Sequence, residues 1–176
     1  VLIPLDAPED LTETQNFNKN VSREFIAVFF QNIRDITDNM RLTLGARYDR
    51  YSDFEESLNP RLGLTWEFVK GYNLKFLYGR AFRAPTFQEL YNQNNPAVMG
   101  NSDLEPETVD TYEVSLGADV KGFSGRLTFF HNTIKNSIGS VKDFESSAVF
   151  FQNSDEIRSQ GYEVELKYKF GKGTYI

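Results

Sequence analysis

The segment "YGRAFRAPTFQELYNQ" (Tyr78–Gln93) sets two guanidinium groups, Arg80 and Arg83, at the end of a strand-like run, just before Pro85. Guanidinium grips a carboxylate or a phosphate through paired hydrogen bonds. Proline removes a backbone donor and ends a ladder. Counting by twos from Lys75 puts Arg83 on the polar face of the strand and Arg80 on the other. Two chemistries follow: ion pairs with loop carboxylates, which are common at surfaces, or capture of an external anion. The long segment that follows carries Phe87, Gln88, Tyr91, Asn92, Met99 and Asn101. Amides and aromatics on a long loop suit recognition of a polar, partly aromatic ligand. Asp103, Glu105 and Glu107 stand two apart and offer oxygen ligands for calcium, but the fixed glycine and ligand order of an EF-hand are missing.

Covalent catalysis is hard to assemble. The chain has one histidine, His131, and no cysteine. A multi-histidine metal site within this chain and thiolate chemistry are excluded. A serine hydrolase would have to use His131 as its base, and no Gly-x-Ser-x-Gly turn is present. The expectation is no enzyme, no cofactor and no bound metal. The net charge of −6 and the lack of a basic run argue against nucleic acid. No run of about 18 apolar residues marks a membrane helix. The opening "VLIPLDAPEDLTETQ" has no basic start or apolar block, and it reads like the middle of a longer chain.

The elements that position these residues have a period of two. In "RLTLGARYDRY", Leu42, Leu44, Ala46 and Tyr48 oppose Arg41, Thr43, Gly45, Arg47 and Asp49. "NPRLGLTWEF" sets Leu62, Leu64, Trp66 and Phe68 against Arg61, Gly63, Thr65 and Glu67. "TYEVSLGAD" and "GYEVELKYKF" repeat the split, with Glu113, Glu163 and Glu165 on the polar side. Tyr72–Ala81 and Ser124–Asn136 read as two more strands, and Arg23–Arg34 as one that is apolar on both faces at its centre. About seven strands result, many longer than the usual ~5–6 residues.

The connections alternate. Asp35–Asn39, Val69–Asn73 and Asp119–Gly125 are tight polar turns, whereas "SDFEES", Ala84–Glu107 and Gly139–Ser147 form the other end as loops. Long alternating strands with short turns at one end and long loops at the other mark an all-β, antiparallel up-and-down transmembrane barrel segment. Tyr, Phe and Trp near strand ends fit aromatic girdles, where the apolar face of a soluble β-sandwich would hold Val, Ile and Leu. Arg47, Arg61, Glu67, Glu113, Arg126, Glu163 and Glu165 then line the lumen as a mixed-sign wall. His131 is a packing or interfacial residue.

"YGRAFRAPTFQELY" followed by "GNSDLEPETVDTYE" resembles the barrel of TonB-dependent outer-membrane receptors. "RLTLGARYD", "NPRLGLTW", "FFHNTIKNSI" and "GYEVELKYKF" resemble flanking strands of that barrel, so the likeness covers roughly Ser22 to Phe170. Ser102 stands where the family loop often has Pro. The resemblance implies a Gram-negative outer-membrane protein in which a twenty-two-stranded barrel surrounds a plug, and TonB energises uptake of a scarce nutrient. A ferric siderophore, a metal chelate, comes first as the commonest class, with cobalamin or haem as alternatives. It also implies a TonB contact through a plug that this chain lacks. Arg80 near the rim would meet lipopolysaccharide phosphates, and Arg83 an anionic ligand or the plug. Residues 1–21 are expected as an extracellular loop or linker, 22–170 as part of the barrel, and 171–176 as a truncated turn or next strand.

Overall fold

The computed structural model describes residues 14–54, 56–142 and 148–170, with the backbone of 174–175. In chain order its elements are β1 (Phe25–Thr37), β2 (Met40–Tyr51), β3 (Ser57–Val69), β4 (Tyr72–Arg83), the short helix α1 (Phe87–Tyr91) and β5 (Val98–Met99). Then come β6 (Glu107–Val120), β7 (Phe123–Lys135), β8 (Ser137–Lys142), β9 (Val149–Ser154), β10 (Ile157–Phe170) and β11 (Thr174–Tyr175). Seven long strands form one antiparallel sheet in the order β1-β2-β3-β4-β6-β7-β10, and β11 pairs with the end of β10. The long strands have 12 to 14 residues each. A tilted strand needs only ~9–11 residues to cross a bilayer, so these strands cross and continue beyond it.

Register turns the sequence alternation into two surfaces, because residues paired across antiparallel strands share a face. One row runs Gly45, Arg61, Gly79, Thr111, Asn132, Ser159. The opposite face holds Leu64, Phe76, Val114, Phe129 and Tyr162 in register. That apolar face packs on nothing: Phe30 is 65% exposed, Val164 65% and Leu166 67%. Among the described residues, buried apolar side chains such as Pro85, Leu90 and Leu104 lie outside this face, in α1 and the segments beside it. A water-soluble sandwich would bury this face. An exposed apolar sheet of this extent needs lipid against it. Aromatic rings mark its borders. Trp66, Phe68 and Tyr72 cluster at the short-turn end, where Tyr168 also meets Phe170. Tyr78 packs on Tyr112 and Phe129 on Tyr162 towards the loop end.

Several boundaries differ from the sequence reading. β1 continues to Thr37, so the first turn is Asp38–Asn39 alone. Asp35 and Arg41 hold opposite sides of this hairpin at 2.6 and 3.2 Å, and Asn39 donates to the Glu67 carbonyl. The polar residues that suggested a turn are therefore cross-strand partners. Pairing also assigns the faces of β1: Ala27, Phe29, Gln31 and Ile33 share the polar side with Arg47 and Thr43. Gly139–Ser147 is not simply a loop. β8 and β9 form an antiparallel hairpin there, and β5 joins β9 in parallel; residues 143–147 lie outside the described residues.

The β3–β4 turn requires Gly71. Its φ is +81°, and an added Cβ would stand 2.7 Å from the Asp119 carbonyl oxygen. Gly122 has φ +84° but its nearest neighbour atom would be 3.6 Å away. Gly71→Ala should therefore cost more than the ~1–2 kcal/mol that left-handed backbone alone costs an L-residue, and Gly122→Ala no more than that. Urea titration of the full-length protein refolded into lipid vesicles measures both. Equal losses at the two glycines would contradict the contact.

Candidate functional site at the loop end of the sheet

Arg23 enters the loop end just before β1. Its Nε donates to both oxygens of Asp53 at 2.9 Å, and its Nη2 donates to the Pro85 carbonyl at 2.9 Å. Its guanidinium carbon lies 4.8 Å from the ring centres of both Phe54 and Phe87 and 5.9 Å from that of Tyr51. The Tyr91 hydroxyl donates to Asp53 at 3.3 Å. One cation thus ties together the approach to β1, the β2–β3 loop and the loop after β4. Desolvation lowers the local dielectric, so these contacts are stronger than the same pairs in water. Burial, then the Asp53 carboxylate, pushes the Tyr91 phenol above its ordinary value.

α1 starts at Thr86 with a reciprocal cap. The Thr86 hydroxyl accepts from the Glu89 amide at 3.2 Å, and the Glu89 carboxylate accepts from the Thr86 amide at 2.7 Å. Arg83 sits between Glu107, at 2.5 Å, and Glu89, at 3.1 Å. Burial pushes the Glu89 carboxyl up, but Arg83 and the Thr86 hydrogen bonds outweigh it and hold the carboxyl below its ordinary value. A lowered folded-state value stabilises above the ordinary carboxylate range and is lost as pH falls through the lowered value. Neutral pH therefore keeps the brace intact.

The loops after β4 and β7 are zipped together. Asn153 accepts from the Glu105 amide at 2.8 Å and donates to the carbonyls of Glu105, at 2.9 Å, and Asn136, at 2.7 Å. Asn101 donates to the Phe151 carbonyl at 3.0 Å, and Glu107 accepts from the Ile138 amide at 2.6 Å. Residues 16–19 run beside the same platform: the Gln93 amide donates to the Phe17 carbonyl at 2.8 Å, and Asn18 bridges Asn92.

The ligand candidates read from the sequence fall into two groups. Gln88 and Met99 have exposed side chains, and Phe87 is 44% exposed with one face over Arg23. Arg83, Tyr91 and Asn101 are held by the contacts above, and Asn92 is buried within the loop. Arg80 lies on the apolar side, above the Tyr78–Tyr112 pair, and binds Asp110 at 2.8 and 2.9 Å. Asp110 also pairs across to Thr133, and Thr133 to Arg158. The lumen candidates separate along the wall. Arg47 binds Asp49 at 2.7 Å, and Arg61 and Glu113 face a common recess. Arg126 meets Glu165 at 3.3 Å, Glu163 is exposed nearby in register with Thr128, and Glu67 turns to accept from the Gly71 amide at 2.8 Å. Asp103, Glu105 and Glu107 do not converge, and no group of three metal-ligating side chains occurs among the described residues. His131 pairs in register with Tyr112 and Gln160 on the apolar face.

The Arg23–Asp53 pair is absent from the sequence reading. Register could have found it, because Phe25 opposite Tyr51 extends directly to residue 23 opposite residue 53. The expected turn, Asp35–Asn39, is three residues wider than the observed Asp38–Asn39 and conceals that alignment.

A family model described as TonB dependent receptor-like, beta-barrel, matches residues 3–176. An iron-regulated outer membrane virulence protein of Vibrio cholerae is 27% identical over 184 residues, covering 92% of this chain and 28% of that protein. The siderophore receptor PirA from Acinetobacter baumannii superposes with a TM-score of 0.72 at 23% identity, over 85% of this chain and 26% of that one. A ferric enterobactin receptor mutant from Pseudomonas aeruginosa, in complex with enterobactin, gives 0.76 at 22% identity, over 97% and 30%. The chain thus spans under a third of these relatives' length.

Arg23→Ala in the full-length protein leaves the largely covered Asp53 carboxylate with the Tyr91 hydroxyl, a loss of about 2 kcal/mol, below the ~3–5 kcal/mol of a broken fully buried pair. The amides of Leu90 and Asn92, which close α1, should then exchange with solvent at least about tenfold faster, since 1.4 kcal/mol is already a factor of ten. Arg23→Lys should not restore them, lacking the planar fork. Unchanged exchange in Arg23→Ala would show that the loop is braced elsewhere.

Proposed function

The chain belongs to the TonB-dependent receptor β-barrel family, a family of outer-membrane transport receptors rather than enzymes, and on that premise we propose that it forms part of a receptor for TonB-energised uptake of a ferric siderophore. Its place is the outer membrane of a Gram-negative bacterium. The observation that carries the reading is the braced loop platform at the long-loop end of a lipid-facing wall. A receptor must present a fixed recognition surface to the outside while its wall stays in the membrane. Two long loops cross-linked to each other, and anchored through Arg23, provide such a surface. The iron-regulated relative and the siderophore-receptor neighbours support iron chelate as the cargo class.

In this reading Gln88, Met99 and the open edge of Phe87 meet the chelate, while Arg83, Tyr91, Asn92 and Asn101 set the shape that presents them. Arg80 and Arg158 sit on the lipid side above the upper aromatic row, where lipopolysaccharide phosphates approach them. Coupling to TonB runs through a plug domain elsewhere in the protein. No covalent chemistry is involved: selectivity comes from the loops and release from energy input.

Uptake decides the class. The full-length gene is expressed in a Gram-negative host deleted for its own siderophore, haem and cobalamin receptors, with and without TonB. Radiolabelled ferric catecholate, hydroxamate and carboxylate chelates, haemin and cobalamin are supplied in turn. Accumulation of a ferric siderophore that stops without TonB is expected. TonB-dependent uptake of cobalamin or haemin alone would replace the cargo, and no uptake of any would overturn the receptor reading.

A further inference from the structure

Two of the short turns carry the same dipeptide before an aromatic residue, Lys70-Gly71-Tyr72 and Lys121-Gly122-Phe123. A third Lys-Gly pair, Lys172-Gly173, stands in sequence between β10 and β11. Backbone geometry does not call for lysine here. Lys121 has φ +49°, a left-handed conformation that turns normally give to Gly, Asn or Asp. The other non-glycine residues with positive φ among the described ones, Asn94 and Asn136, are both asparagines. Lys70 and Lys121 are exposed, and neither has an ion pair or hydrogen-bond partner among the described residues. Glu67, which accepts from the Gly71 amide, and Asp119 lie on the polar side of the sheet. The two turns adjoin, because the Gly71 carbonyl accepts from the Asp119 amide at 2.7 Å.

The apolar face is dented beside these turns. Pairing places Tyr72, Ala118, Gly125 and Leu166 in one row across β4, β6, β7 and β10. Two small residues on neighbouring strands, about 4.8 Å apart, thus lie between two large ones. The dent is a groove of about 260 Å³ whose lining includes Tyr72, Leu116, Ala118, Phe123, Leu127 and Leu166. Phe123 leans over Gly125, where an added Cβ would stand 3.0 Å from its ring. The aromatic residue after one turn therefore forms one border of the groove, and Tyr72, after the other turn, forms another. An apolar groove that opens to hydrocarbon accepts an acyl chain. Free ammonium groups next to it, at the membrane border, attract an anionic headgroup.

We infer that Lys70, Lys121 and the groove over Ala118 and Gly125 hold one anionic phospholipid of the leaflet at the short-turn end, with its phosphate between the two ammonium groups and one acyl chain in the groove. The site concerns how the wall is seated in its membrane, and it stands whatever nutrient the receptor takes. A zwitterionic phospholipid offers the same chains, but its own ammonium offsets the charge that the lysines meet. Lysine at the left-handed turn position then has a reason that turn chemistry does not supply. The bound lipid pins both turns at headgroup depth, where Trp66, Phe68 and Tyr72 mark the same border.

Native mass spectrometry of the full-length protein, released from detergent micelles, counts retained lipid directly. Phosphatidylglycerol, phosphatidylethanolamine and lipid A are added in turn. Phosphatidylglycerol should be retained about tenfold or more tightly than phosphatidylethanolamine, since each lysine at a membrane border favours negative charge. The double variant Lys70→Gln/Lys121→Asn should lose that preference. Its fold is protected, because asparagine suits the left-handed position better than lysine, and its thermal unfolding in lipid-free detergent should match the parent or exceed it. Ala118→Leu keeps both lysines but fills the groove, and it should weaken both phospholipids alike. Equal retention of the two phospholipids by the parent overturns the site. Unchanged phosphatidylglycerol affinity in the double variant or in Ala118→Leu does the same, as does tightest binding of lipid A, which belongs to the opposite leaflet. None of these outcomes touches the receptor reading, which uptake decides separately.

Discussion

The structure depends on a sheet whose apolar face has no protein behind it. In a soluble domain, burial of such a face against a second layer is the main stabilising term. Here Phe30, Val164 and Leu166 remain about two-thirds exposed, and the only matching medium is hydrocarbon. That constraint dictates the rest. Backbone hydrogen bonds must be satisfied within the sheet, which the continuous ladder from β1 to β10 does. Polar groups must collect on the other side, where they line water. Aromatics must mark the borders, as Trp66, Phe68 and Tyr72 do at one end and Tyr78, Tyr112 and Tyr162 at the other.

A wall of this kind gives its loops no core to rest on. Beyond the ladder, the chain builds one from what it has. Pro85, Leu90 and Leu104 form the small buried apolar set of the platform, and polar contacts supply the remainder. Arg23 joins three segments by charge, hydrogen bonding and ring stacking. Asn153 joins two loops through a single amide. The loop end is therefore held by a few multivalent side chains rather than by area, which makes individual residues there consequential. The same economy explains why Arg83 serves as a brace between Glu89 and Glu107.

Much of the wall was legible because its code is local. Each residue's face follows from its parity, so β2, β3, β6 and β10 could be read with their polar and apolar sides assigned. β1 could not, since Phe29 and Ile33 sit on the lumen side with Gln31 and Asp35 and break the two-colour pattern. Its faces follow only from pairing with β2. The loops were less legible because their contacts are long-range. Thr86 and Glu89 carry a capping-box spacing that could have signalled α1, but a five-residue helix inside a polar segment is easily missed. The β5–β9 pairing joins residues 98 and 149, and no period in the sequence connects them. Asp53 meets Arg23 through the β1–β2 register, so a first turn expected three residues wider than it is conceals the central contact of the platform.

Alternate residues of each wall strand face lipid and water, and spin labels can read this directly. The chain has no cysteine, so single cysteines can be placed and spin-labelled in the full-length protein within lipid vesicles. Along β10 and β7, high oxygen and low polar-reagent accessibility is expected at Leu127, Val164 and Leu166, with the reverse at Arg126, Glu163 and Glu165. Equal accessibility of the two sets to the polar reagent, or protection of both from oxygen as in a packed core, would contradict it.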